Sequence, residues 1–172
     1  MNISAWKERL TAGACNAQLA ALYGAANAAQ ARYVQLCEEY LQTFGDAPDA
    51  LLLSAPGRTE LAGNHTDHQL GIVLCAAVTR DIAAAAAPTE DNAVEIVSEG
   101  FGSVRVSLDD LVPREAETGT TAALIRGVAA GFAAKGLRIG GFRACVHSLV
   151  PAGGGLSSSA AFEILTGAIF SA

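Results

Sequence analysis

Long apolar runs, an excess of basic residues and clustered cysteines are all missing from this chain of 172 residues. No stretch approaches the roughly 18 uninterrupted apolar residues of a membrane-spanning helix, so no membrane association is expected. The first residues hold no basic segment followed by an apolar core, the arrangement of a secretory signal. Lys and Arg number 11 against 17 Asp and Glu, a net charge of −6. Nucleic-acid-binding domains carry a basic patch, so no nucleic-acid partner is expected either. Cys15, Cys37, Cys75 and Cys145 lie far apart with no Cys-x-x-Cys. They fall in segments that read as helix or strand, which suits buried, reduced thiols in a cytoplasmic protein. Charged residues make up only 16% and apolar residues 51%, a balance that excludes disorder and supplies the core of one domain. Internal repeats, low-complexity segments and linkers are absent as well.

What the chain does have is concentrated in two short segments. The first is Pro151-Ala-Gly-Gly-Gly-Leu-Ser-Ser-Ser-Ala160. Three consecutive glycines allow positive φ and a close approach of backbone to ligand. An apolar run with helical spacing follows (Ala160, Ala161, Phe162, Ile164, Leu165, Ile169), and a strand-like segment, 142–150, precedes. Strand, glycine loop and helix N-terminus together form an anion site, where free N–H groups and the positive end of the helix dipole converge. Serine hydroxyls there can donate to phosphate or ligate a divalent cation that rides on it. The plainer alternative is a glycine turn with a serine N-cap. It is not a Walker A loop, which needs a Lys after its last glycine; no Lys follows Lys135. Neither a dinucleotide fingerprint nor a Gly-x-Ser-x-Gly elbow occurs.

The second segment is Ala55-Pro-Gly-Arg-Thr-Glu-Leu-Ala-Gly-Asn-His-Thr-Asp-His-Gln-Leu-Gly-Ile-Val-Leu74. It gathers Arg58, Asn64, His65, Asp67 and His68 around a turn at Gly63. Carboxylate, amide and imidazole groups at short range suit the donors and acceptors of sugar hydroxyls. Arg58 carries a permanent charge in a planar fork that fits a phosphoryl group with growing negative charge. Taken singly, an Arg or Asp in a turn is a solvated charge or a cap. His65-x-x-His68 beside Asp67 would be the start of a metal site, but no further His or Cys lies nearby to complete it.

The glycine loop resembles the phosphate loop of the GHMP kinases, Pro-x-x-x-Gly-Leu-x-Ser-Ser-Ala, which Pro151, Gly155, Leu156, Ser158, Ser159 and Ala160 match. The triple-serine form is typical of the galactokinase branch. The second segment is similar to the galactokinase signature Pro-Gly-Arg-x-x-Leu-x-Gly-Glu-His-Thr-Asp-Tyr. Two positions depart from it: Asn64 stands where the family has Glu, and His68 where Tyr is usual. Asn keeps an acceptor oxygen but loses the charge and one methylene of reach, so the preferred hexose need not be galactose.

The resemblance implies an ATP-dependent kinase that phosphorylates the C1 hydroxyl of galactose or a related hexose, with Mg²⁺ as the metal. Arg58 would be the catalytic cation, and Asn64, His65, Thr66 and Asp67 would bind the sugar. Gly153, Gly154, Gly155, Leu156, Ser157, Ser158 and Ser159 would bind nucleotide, with Ser159 also the serine ligand to Mg²⁺. The alternatives are a GHMP kinase for another sugar and a non-catalytic sensor that binds sugar and ATP.

The coarse pattern predicts an α-helical stripe over 15–44 with a break at Gly24, and strands at 51–54 and 72–78. Residues 79–87 suit helix by alanine content and strand by Pro88 and the family comparison. A hairpin is expected from 94–97 and 104–108, a helix over 120–135, a strand over 142–150 and a helix over 157–170. This makes an α+β or α/β domain. The resemblance implies the former: a two-layer mixed sheet with helices, the amino-terminal domain of GHMP kinases (ribosomal protein S5 domain 2-like), over residues 1–172. Residues 1–35 match nothing specific. The last helix runs to Ala172 with no glycine stop or polar tail. The resemblance therefore implies a missing carboxyl-terminal domain that carries the base and a further metal ligand. A unit without it would be inactive alone and prone to self-association through its uncovered face.

Overall fold

The computed structural model describes every residue of the chain except 64, 65, 67 and 68. Its centre is decided by a run of alanines. Strand β2 (Leu74–Pro88) is buried at seven successive positions, 81–87. Successive side chains in a strand point to opposite faces. Ile82, Ala84 and Ala86 accordingly enter one core cluster, while Ala83, Ala85 and Ala87 enter another. Alanine favours helix in isolation. Here pairing on both edges and burial on both faces override that preference, and small side chains let helices approach the sheet closely.

The sheet has the order β1-β2-β5-β3-β4, with β1 at Leu51–Ala62, β3 at Ala93–Ser98, β4 at Gly102–Ser107 and β5 at Phe142–Ser148. It is mixed: β5 runs parallel to β3 and antiparallel to β2, and the β1–β2 and β3–β4 pairs are antiparallel. Helices α4 (Thr121–Ala134) and α5 (Ser158–Ser171) lie on one face, where Ile125, Ala129, Phe162 and Leu165 meet Val94, Ile96, Phe142 and Ala144. The mixed sheet with helices packed on it is as expected from the sequence, and a further helical layer lies on the opposite face. The other face is covered by α1 (Ile3–Thr11), α2 (Asn16–Tyr23) and α3 (Ala26–Phe44) through Ile3, Leu10, Leu36, Cys37 and Tyr40.

Local chemistry sets the helix ends. Asn2 caps α1 by accepting from the Ala5 amide, and Thr120 caps α4 by accepting from the Ala123 amide. Gly24, left-handed at φ 77°, separates α2 from α3 at the expected break. Two strand expectations change. β1 continues well past Ser54, through Arg58 to Ala62, and the segments 72–78 and 79–87 belong to one strand that begins at Leu74. Helix α1 was not foreseen. Its apolar residues Ile3, Trp6 and Leu10 keep helical spacing over only about two turns, and Asp46 anchors it from a distance by accepting from Asn2, the Ser4 hydroxyl and the Ser4 amide. Cys15, Cys37 and Cys145 are buried and Cys75 is half-buried, all as free thiols. Burial pushes the Cys37 and Cys145 thiols up to about 12.

Candidate functional site

The two sequence segments meet at one end of the sheet. Beyond the last β2–β5 pair, Ile82 with Ser148, the Leu149 amide still donates to the Asp81 carbonyl at 2.8 Å. The chain then leaves the sheet. Ser148 Oγ donates to the Val150 carbonyl (3.0 Å) and accepts from the Val150 amide, which turns the backbone toward Pro151. From there the glycine loop runs to α5. Gly153 and Gly155 are left-handed, at φ 70° and 74°, with open space where a side chain would be. Gly154 differs. Its φ is ordinary, but a Cβ would lie 2.6 Å from Pro151 Cγ. Two of the three glycines are therefore required by conformation and the middle one by space. Ser157 is also left-handed (φ 58°) and makes no side-chain cap, while its carbonyl accepts from the Ala161 amide.

Across from the loop runs β1. The Arg58 amide donates to the Leu156 carbonyl at 3.1 Å. Gly57 makes this approach possible, since a Cβ there would sit 3.0 Å from the Leu156 oxygen and 3.3 Å from the Arg80 oxygen. This junction puts Arg58 at the rim of an open cavity of about 480 Å³. Its other walls are Pro151, Gly153, Gly154, Gly155, Ser157, Ser158, Ser159 and Ala160. The first turn of α5 holds no acidic residue, so no carboxylate on that turn offsets the positive end of its dipole. A guanidinium, serine hydroxyls and a helix N-terminus bordering one hollow form an anion-binding arrangement.

Of the expected sugar-binding residues, Asn64, His65 and Asp67 lie outside the described residues, as does His68. Thr66 is described. Its hydroxyl donates to the Gly63 carbonyl at 2.7 Å and its carbonyl accepts from the Gln69 and Gly71 amides, so it closes the turn of the signature. Among the described residues, no group of His, Cys, Asp and Glu is arranged to hold a metal.

Sequence reasoning missed two features here. A second cavity of about 310 Å³ shares Ser158 and Ser159 with the first and extends over Ile82, Val146, Leu124 and Phe162 to Phe101 and Thr120. Nothing in the local pattern joins the β3–β4 turn to α4 and the loop. The second feature is Asp81, which is almost completely buried. Its carboxylate accepts from the Tyr23 hydroxyl, the Ser54 hydroxyl and Arg32 Nη1, each at 2.5 Å. Burial, and then the hydrogen bond to Asp81, raise the Tyr23 phenol above its ordinary value. A larger cavity, about 530 Å³, lies elsewhere in the molecule, among Ala50, Ala86, Phe142 and Phe170. It gathers no comparable set of donors.

Residues 38–88 match the family model described as the galactokinase galactose-binding signature. The galactokinase of Lactococcus lactis subsp. cremoris is 33% identical over 138 residues, covering 78% of this chain and 34% of the relative. The chain thus spans about a third of the length of that relative. The crystal structure of Lactococcus lactis galactokinase complexed with galactose superposes with a TM-score of 0.70 at 31% identity, over 77% of this chain and 34% of that one. A mevalonate kinase from Methanococcus jannaschii shares the fold alone, with a TM-score of 0.55 at 16% identity over 69% of this chain and 38% of that one. The signature strand β1, the glycine–serine loop before α5 and the sheet that joins them agree with these likenesses: in sequence and in fold, this chain is similar to the galactokinases over about a third of their length.

Proposed function

We propose that this chain supplies the sugar site and the nucleotide site of an ATP-dependent sugar kinase of galactokinase type. The observation that carries this reading is the junction of Gly57 and Arg58 with Leu156, which brings the galactose-binding signature strand against the glycine–serine loop. In phosphoryl transfer the protein does little covalent chemistry; positioning and charge neutralisation dominate. The amides of the 153–159 segment, apart from that of Gly154, which donates to the Pro151 carbonyl at 3.2 Å, and the N-terminus of α5 hold the nucleotide phosphates. Arg58, at the cavity rim, offsets the negative charge that grows on the transferring group. The second cavity accepts the base and ribose, because it opens from the same serines. Asn64, His65, Thr66 and Asp67 bind the hexose whose C1 hydroxyl is the acceptor.

A Mg²⁺ ion fits these residues in one way. Mg²⁺ is commonly held by substrate phosphates and waters with only one or two protein oxygens. The Ser159 hydroxyl at the cavity wall is such an oxygen. Bound there with the phosphates, the ion would neutralise charge on them. Asn64 supports a second reading within the same class, a kinase whose preferred sugar is not galactose.

Titration calorimetry with MgATP tests the nucleotide site. Gly154→Val forces a branched side chain onto Pro151 and into the loop, so a folded variant should show no measurable affinity. Unchanged affinity would remove the assignment. Calorimetric titration of hexoses, wild type against Asn64→Glu, tests the sugar. The Glu variant should bind galactose more tightly. A wild type that already prefers galactose, and binds it more weakly as Glu, would contradict the role given to Asn64.

A further inference from the structure

The segment that sequence reasoning left unassigned touches the root of the glycine loop at several points. Arg32 and Glu39 lie seven residues apart on α3, and therefore on one face of it. Both reach His147, near the end of β5. Arg32 Nη2 donates to the His147 carbonyl at 2.7 Å, and the Glu39 carboxylate lies 2.7 Å from His147 Nε2. Arg32 Nη1 is simultaneously paired with Asp81, and Nη2 also approaches the Asp81 carbonyl at 3.4 Å. That same carbonyl receives the Leu149 amide, the last backbone hydrogen bond from this stretch to β2 before the chain departs for the loop. Tyr23, from α2, closes on Asp81 from another side, and Ser54 joins β1 to the cluster. Asp81 and the Arg32 side chain are both well buried, with relative exposures of 3% and 12%.

We propose that α2 and α3 brace the glycine loop, with Asp81 and Arg32 as positioning residues that fix where β5 and β1 release the chain into the site. The inference rests on the reading of that loop as the phosphate site for its functional meaning. The geometry explains why an ion pair should be buried there at all. A buried pair contributes little net stability compared with an apolar core of the same shape, yet its directional bonds define one backbone geometry. The guanidinium fork is suited to this, because it holds a carboxylate and a carbonyl at a fixed angle to each other. Both carbonyls it touches, His147 and Asp81, belong to residues within a few positions of Pro151 or paired with that stretch. Small displacements at a support are felt at the site, because a misplacement of about 1 Å from a change far from the chemistry can be costly.

Amide hydrogen exchange on the whole chain, read by mass spectrometry, separates a brace from an ordinary structural contact. Arg32→Met should speed exchange in 149–160 by about tenfold or more while the hairpin 93–107 keeps its wild-type rate. Because Arg32→Met leaves Asp81 buried without its cation and risks misfolding, Arg32→Lys provides the second measurement. Lysine keeps the charge beside Asp81 but lacks the fork, so a smaller acceleration, confined to the same peptides, is expected. Exchange that stays unchanged in 149–160, or that rises uniformly over the sheet in both variants, would overturn the brace. MgATP is the probe for the phosphate reading itself. If MgATP gives the wild-type loop no protection, that reading fails, while the brace is still decided by the exchange of the unliganded variants.

Discussion

Replacing Gly57 by Ala adds one methyl group at the contact that joins the two halves of the site. The new Cβ would lie 3.0 Å from the Leu156 oxygen, 3.3 Å from the Arg80 oxygen and 3.3 Å from Val150 Cγ2. Comfortable carbon–oxygen and carbon–carbon contacts begin near about 3.5 Å. Arg80 belongs to β2, in the middle of the β1–β5 side of the sheet, so the loop is the softer partner and must yield. A shift of a few tenths of an ångström stretches the Arg58 N–H to Leu156 C=O bond from its present 3.1 Å toward the limit of a hydrogen bond. Overpacking of this kind costs typically 1–3 kcal/mol and a lost hydrogen bond about 1 kcal/mol, so the expected destabilisation is about 2 kcal/mol. For a chain of this size that lowers Tm by roughly 4–8 °C. Gly140→Ala is the control, since a Cβ there meets nothing within 4 Å. Urea denaturation with thermal scans measures both variants, and MgATP calorimetry on the folded Gly57→Ala protein should show weaker binding. Equal stability and equal affinity for Gly57→Ala and wild type would refute the claim that this glycine is there for close approach.

Other outcomes follow from the same geometry. Gly155→Ala meets no atom but must hold φ near 74°, so it should cost about 1–2 kcal/mol in chemical denaturation without any change in packing. Gly127 lies exposed on α4 with open space around it. Gly127→Ala should therefore stabilise the chain by about 0.5–1 kcal/mol, visible as a higher Tm. Cys37 and Cys145, buried and with thiols pushed up to about 12, should resist iodoacetamide at pH 8 while Cys75 is labelled first, and peptide mapping before and after urea checks this. Asp46 is held below its ordinary value mainly by the Ser4 hydroxyl and then by the Ser4 amide. A depressed carboxylate contributes stability above the ordinary aspartate range, and the contribution is lost as pH falls through the folded value. Asp46→Asn should thus be less stable than wild type at neutral pH, with the gap closing toward about pH 3; urea titrations at both pH values measure it.

Local chemistry was legible from the residues alone wherever a segment's neighbours in sequence are also its neighbours in space. The break at Gly24, the hairpin between Val94 and Leu108, helix α4 after Thr120 and the strand–loop–helix unit around Gly153–Ser159 all obey short-range periods and caps, and the structure holds them where the pattern put them. Tertiary structure decided the rest. The alanines of β2 became strand because two edges and two faces were waiting for them, a condition no helix propensity contains. Helix α1 is held by burial of Ile3 and Leu10 against α3 and by Asp46, far along the chain. Arg58 meets the glycine–serine loop only because Gly57 leaves room for the Leu156 carbonyl, and Asp81 is tolerated in the interior only because Arg32, Tyr23 and Ser54 converge on it from three separate elements. A motif names the groups that can do the chemistry, whereas their distances depend on sheet order and register, which are properties of the whole chain.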